Sequence, residues 1–168
     1  MNTRGREGGQ RPAPPDGRAT GQAGAAGLDW SDTTAGLDWH ELELLYRRAP
    51  LGNKSAALLR TVFENSRYKW FVRDAQRLVA AGRALADGAD CAYICDVAVL
   101  PSHQGRGIGK DVVSRLVHDS RGHRKIILYS VPGKEGFYRK LGFLRLLTAM
   151  AIFQDREAAI ARGHLGEA

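Results

Sequence analysis

From Trp39 onward the apolar positions fall into clear periods. Leu42, Leu45, Tyr46 and Ala49 recur every three or four residues and predict a helix, which Pro50-Leu-Gly52 ends. A second helix is expected over residues 54–65, with Leu58, Leu59, Val62 and Phe63 as its apolar stripe. The period then drops to two. Tyr68, Trp70 and Val72 carry a strand's alternation, and residues 78–86 predict a further strand running to an Asp87-Gly88 hairpin signal. Residues 91–99 are mostly apolar on both faces, the pattern of a buried central strand. Ile108, Val112, Val113, Leu116 and Val117 restore helical spacing over 107–119. The run KIILYSV at 125–131 predicts another buried strand, 135–141 a short helix, and 143–153 a last strand with a break near Thr148.

That order implies an α/β fold with a mixed, mostly antiparallel central sheet flanked by helices. A parallel crossover runs from strand 91–99 through helix 107–119 to strand 125–131. The chain of 168 residues is long enough for one domain with one catalytic site, expected over 28–168.

Residues 1–27 differ. They hold seven of the 20 glycines and three of the six prolines, with no aromatic residue. Such a segment buries too little apolar area to offset its ordering entropy, so a disordered Gly/Pro/Arg-rich tail is expected. After it, Ala26-Gly-Leu-Asp-Trp30 recurs as Ala35-Gly-Leu-Asp-Trp39. Two such short copies cannot make a solenoid; one is expected to pack its Trp at the domain edge, the other to be loop.

Charge and cysteine narrow the partners. The net charge of +7 favours anionic ones without choosing among nucleic acid, phosphorylated cofactors and acidic lipid. No apolar stretch approaches the ~20 residues of a membrane span, and no apolar core follows the N-terminal arginines as in a secretory signal. Cys91 and Cys95 are the only cysteines. On one strand their α-carbons would lie roughly 13 Å apart, beyond the ~7 Å limit of a disulfide, so a reduced, cytoplasmic protein is expected.

The segment Val99-Leu-Pro-Ser-His-Gln104-Gly105-Arg106-Gly107-Ile108-Gly109-Lys110 joins the buried strand to the helix. A helix N-terminus leaves amide N–H groups free, and glycines there let the backbone approach a phosphate. A phosphate or pyrophosphate binder follows from the residues alone. The dinucleotide fingerprint fails because Lys110 stands where its last glycine belongs. The P-loop fails because Asp111 follows the lysine and Gln104 replaces its first glycine.

Gln104-Gly-Arg-Gly107-Ile-Gly109, with Val99-Leu100-Pro101 before it, resembles the acetyl-CoA-binding pattern Q/R-x-x-G-x-G/A of the GNAT superfamily of N-acetyltransferases. Downstream, Gly136-Phe-Tyr138-Arg-Lys-Leu-Gly142-Phe143 resembles the family's F-Y-x-x-x-G-F element, and the element order is similar over about residues 39–153. The resemblance implies a sheet whose parallel pair splays, strand 95–99 parting from strand 125–131 often at a bulge, and an enzyme that moves the acetyl group of acetyl-CoA directly to a primary amine, here of a small molecule. One departure stands out: the family opens with a strand before the first helix, and residues 31–39 make a poor one, so that strand is expected to be short or absent.

The resemblance also implies roles. Val97 and Val99 offer main-chain bonds to the pantetheine arm. Gln104, Gly105, Arg106, Gly107, Ile108, Gly109 and Lys110 hold the pyrophosphate, through backbone N–H groups and the charges of Arg106 and Lys110. Tyr138 falls on the family tyrosine, the general acid for the departing thiolate. Asp96 is the candidate base, since a carboxylate in a buried strand needs a reason to be there; bonding structural backbone groups is the alternative reason. Cys95, expected on the opposite face from Asp96, can line the acceptor pocket; Tyr46, Phe63, Tyr68 and Trp70 either line it or belong to the core. His103 and His118 are expected on the surface, and no cluster has metal-site spacing. A protein amine as acceptor, an acetyl-CoA-binding regulator without turnover and a nucleic-acid binder are the competing readings. A homodimer is possible by analogy with the superfamily.

Overall fold

The computed structural model describes residues 27–49 and 51–166. The tail expected over 1–27 therefore lies, Gly27 apart, outside the described residues, and so does the helix-ending Pro50. Five strands form one sheet in chain order: β1 (Leu28–Ser31), β2 (Tyr68–Asp74), β3 (Arg77–Ala86), β4 (Cys91–Val99) and β5 (Lys125–Ile127). The first three pairings are antiparallel and β4–β5 is parallel, the mixed sheet expected from the pattern.

Local chemistry sets the helix starts. The Asp38 carboxylate accepts the amides of His40 and Glu41 at the head of α1 (Trp39–Arg48). The Ser55 hydroxyl accepts the Leu58 amide at the head of α2 (Ala56–Glu64). α3 (Ile108–Asp119) is the crossover between the parallel strands; α4 (Glu135–Arg139) and a further helix, α5 (Arg156–Ala161), follow. Leu78, Val79, Ala80 and Ala81 of β3 are all buried, and successive strand residues point to opposite faces, so both faces of the sheet are covered. Helices α1 and α3 both pack on β3, burying Leu42, Leu45 and Tyr46 from one and Ile108, Val112 and Leu116 from the other.

The opening strand is short, as expected, and comes from the first AGLDW copy and Ser31: Trp30 stands edge-on to Trp70 at 6.3 Å, with the Arg115 guanidinium over both rings. Three expectations change. The second copy is not loop throughout, since its Asp38 caps α1 and its Trp39 begins it. The strand expected over 125–131 pairs only through Ile127. No strand forms over 143–153: with β5 so short, a period-two apolar run finds no ladder to join, and Leu144, Leu147, Met150 and Ile152 stay exposed.

The reason β5 ends early lies one strand away. Ala81 pairs with Ala98 and Arg83 with Cys95, so Gly82 alone faces two residues, Asp96 and Val97. This β-bulge bends β4, and Asp96 sits in it with a φ of 53°, a left-handed backbone costing about 1 kcal/mol for a residue with a side chain. Beyond Tyr93 the two parallel strands no longer pair. Gly82 is a glycine because α3 lies against it: a β-carbon there would stand 2.7 Å from Val112 Cγ1 and 3.3 Å from Val97 Cγ2. Gly82→Ala is therefore expected to destabilise the fold by about 1–3 kcal/mol. Urea unfolding would read this as a lower midpoint at unchanged slope.

Candidate active site

Where β4 and β5 part, a cavity of about 1050 Å³ opens between the bulge, the α1–α2 loop, α4 and the C-terminal segment. Cys95, Asp96 and Val97 line it from β4, Lys54 from the loop, Tyr138 from α4, and Arg162 and His164 from beyond α5. Strict alternation would put Cys95 and Asp96 on opposite faces. The bulge breaks the alternation, and both line the cavity.

Asp96 is the electrostatic centre. One carboxylate oxygen accepts from Arg83 Nε at 2.6 Å and the other from Lys54 Nζ. Its backbone carbonyl, released from the ladder by the bulge, accepts the hydroxyl of the fully buried Tyr46. Arg83 is fixed in turn by Ser66 Oγ at 3.1 Å. Burial pushes the Asp96 carboxyl up, but the hydrogen bonds and charges of Lys54 and Arg83 outweigh it, and the net shift is downward. The carboxylate thus stays ionised and is a weak proton acceptor. Among the described residues the carboxylate does not bond structural backbone groups, the alternative expected for it; its partners are the side chains of Lys54 and Arg83.

The neighbouring groups hold their protons. Burial is the main cause that pushes the Cys95 thiol up to about 11, and it raises Tyr138 and Tyr93 as well. Tyr138 packs its ring against Phe137 and Phe143, while its hydroxyl makes no hydrogen bond among the described residues. Tyr93 stacks on Tyr129, and Phe153 and His164 stack on each other beside them, an aromatic wall at one side of the cavity.

At the far end of β4, a 3₁₀ turn over Pro101–His103 leads to the glycine segment. Gly105 and Gly107 have φ values of 77° and 86°, and nothing lies within 4 Å of where their β-carbons would project. Among the described residues, neither they nor Arg106 donate a backbone hydrogen bond, and α3 has no side-chain cap. With the first-turn amides of Ile108, Gly109 and Lys110, this is a row of open donors at a helix's positive end. The other expected residues divide by role. Gln104 donates its side-chain amide to the Val99 carbonyl at 3.0 Å, strapping the loop to the strand end. The Ile108 side chain is core, so only its amide faces outward. A β-carbon on Gly109 would stand 3.3 Å from Val99 Cγ2, so its bareness seats α3 against β4. Lys110 is exposed on the first turn. Arg106 leans toward Asp74 at 3.8 Å. His103 is not a surface residue as expected: its side chain is largely buried against Asp74 at 3.2 Å, whereas His118 is exposed.

Sequence reasoning missed the Lys54–Asp96–Arg83 cluster, whose members lie on three separate elements. It missed Arg162 and His164 too, because no periodic signal marks a helix after residue 153. Phe63, Tyr68 and Trp70 do not line the cavity; they pack in or against the core.

The sequence profile of the Acetyltransferase (GNAT) family matches residues 30–143. Serotonin N-acetyltransferase 2, chloroplastic, from Oryza sativa subsp. japonica is 36% identical over 142 residues, covering 79% of this chain and 71% of the rice protein. GCN5-related N-acetyltransferase 1, chloroplastic, from Arabidopsis thaliana is 36% identical, covering 67% of this chain and 59% of its own length. A solved structure from Xanthomonas campestris pv. campestris, described as a GNAT-family acetyltransferase, superposes with a TM-score of 0.67 at 26% identity, covering 77% of this chain and 95% of that one.

Asp96→Asn removes the only negative charge from the cluster while asparagine still tolerates the left-handed backbone. The variant is expected to lose about 3 kcal/mol, because Arg83 is left buried without a counter-charge. Because the folded pKa of Asp96 is depressed, its contribution is fully present above the unfolded carboxyl's ~3.9 and fades as pH falls through the lower folded value. Denaturant curves should show a constant gap between the two proteins from neutral pH to about pH 5 that narrows below about pH 4.

Proposed function

Since the chain belongs to the GNAT family of acetyltransferases, we propose that it transfers the acetyl group of acetyl-CoA directly to the primary amine of a small molecule. The observation that carries this reading is the continuity of β4. One strand brings an unpaired edge and cavity at its bulge together with a helix N-terminus of open amides at its end.

The residues present fit the cofactor. The open amides of residues 105–110, with no β-carbon above Gly105 or Gly107, suit a diphosphate, and the freed edge around Val97 and Val99 suits an amide-bearing arm. When bound, acetyl-CoA supplies the acetyl thioester that the amine attacks. Tyr138 holds its proton at Oη in the cavity, since burial raises its pKa, and gives it to the departing sulfur. Asp96 fixes Lys54 and Arg83 beside the acceptor space. Their combined charge of +1 disfavours an ammonium and favours the neutral amine, and the amine's proton leaves through cavity water. The aromatic wall of Tyr93, Tyr129 and Phe153 suits a small, flat acceptor, and the rice relative's printed name, serotonin N-acetyltransferase, supports the small-molecule class.

Thiol release from acetyl-CoA on adding small primary amines tests the transfer. Release only with protein or peptide amines would move the acceptor class, and no release with either would refute the reading. Tyr138→Phe is expected to lower kcat about 100-fold while leaving acetyl-CoA affinity within about twofold. Unchanged kcat would remove the acid role.

A further inference from the structure

Among the described residues the cavity carries more positive charge than its one carboxylate can match. Asp96 is the only carboxylate of the described residues that line it, and Arg83 and Lys54 already hold both of its oxygens. Arg47, at one edge, is paired with Glu43 at 2.6 Å and adds no net charge. Arg162, exposed at the C-terminal cap of α5, has no carboxylate partner among the described residues. Beside it, the Nδ1 of His164 is buried with no hydrogen-bond partner among the described residues, a polar atom in the wall of the cavity. The cofactor's phosphates do not explain this surplus, because none of residues 104–110 lines the cavity. The arm between diphosphate and thioester is uncharged.

Resting on the acetyltransferase reading, we propose that the acceptor amine carries a second, anionic group, a carboxylate or phosphate, which Arg162 and Lys54 receive while the amine faces the thioester. The chemistry favours this division. A guanidinium offers paired donors to a carboxylate or phosphate. Lys54 stands on the short loop after Gly52, with its ammonium about 5.3 Å from the Tyr46 ring centroid, and can turn from Asp96 toward an incoming anion because Arg83 continues to neutralise Asp96. The His164 nitrogen, in its Nδ1–H form, can donate to the same anion. A plain alkylammonium finds no free carboxylate among the described residues of the cavity.

Matched acceptors separate the cases: benzylamine against 4-(aminomethyl)benzoate, and ethanolamine against O-phosphoethanolamine, each assayed by thiol release from acetyl-CoA. The anionic member of at least one pair is expected to have a kcat/KM about tenfold or more above its neutral partner. Which pair discriminates tells carboxylate from phosphate. Arg162→Gln should bring that ratio close to one, Arg162→Lys should keep most of it, and Lys54→Gln should reduce it. Equal or better turnover of the neutral amines, or a ratio unmoved by Arg162→Gln, overturns this inference and leaves the transferase reading intact. Absence of thiol release with all four amines and with a wider primary-amine panel overturns the transferase reading itself, and this inference with it.

Discussion

A sheet that cannot close is the constraint from which the rest follows. Opposite Gly82, strand β4 has one residue too many, and the surplus turns it away from β5 after three paired residues. The helix that crosses between these strands presses on Gly82 so closely that only a bare α-carbon fits, which holds the bulge in register. Out of this defect come the free strand edge, the cavity, and a carboxylate with its backbone in the left-handed region. Arg83, Lys54 and Tyr46 stabilise that unusual residue from three elements, so one local irregularity is bound to the core, the neighbouring strand and the α1–α2 loop.

The same arrangement decides the chemistry. A buried carboxylate often suggests a base, but Asp96 is clasped by two cations that lower its proton affinity. Its electrostatic work is to keep those cations in place. In the proposed reaction the positive cavity and the protonated Tyr138 would divide the work: one would favour the neutral amine, the other would retain a proton for the leaving group. The proposed phosphate site lies at the opposite end of β4, where the backbone amides are open and side chains such as Gln104 and Ile108 brace the loop or fill the core.

Elements with strong periodicity could be read from the sequence because their pattern reports burial against a single neighbour. This holds for α1, α2, α3 and β2 to β4, and for the glycine segment, whose spacing is a backbone requirement. The family resemblance implied a splay, often at a bulge, but the bulge's place opposite Gly82 was not readable. It depends on how Gly82 meets α3, a contact between residues 30 apart. Nor was the ion cluster, since Lys54, Arg83 and Asp96 each resemble ordinary polar positions until the fold assembles them. Residues 143–153 show the converse failure: alternation promised a strand, but a strand also needs a paired edge, and β5 does not extend far enough to give one. The opening strand, expected to be short or absent, is a short one, and its four residues Leu28–Ser31 gain their order from Trp30 packing on Trp70 and Arg115 rather than from any pattern of their own.

The central claim is that one strand, bent at Asp96, serves both the diphosphate and the thioester ends of the cofactor. Titration of acetyl-CoA into ¹⁵N-labelled protein tests it most directly. The account predicts that the amide resonances of Gly105, Arg106, Gly107, Val97 and Val99 shift together along one binding curve while those of β1 and β2 stay still. Saturation that moves resonances elsewhere and leaves these five in place would contradict it.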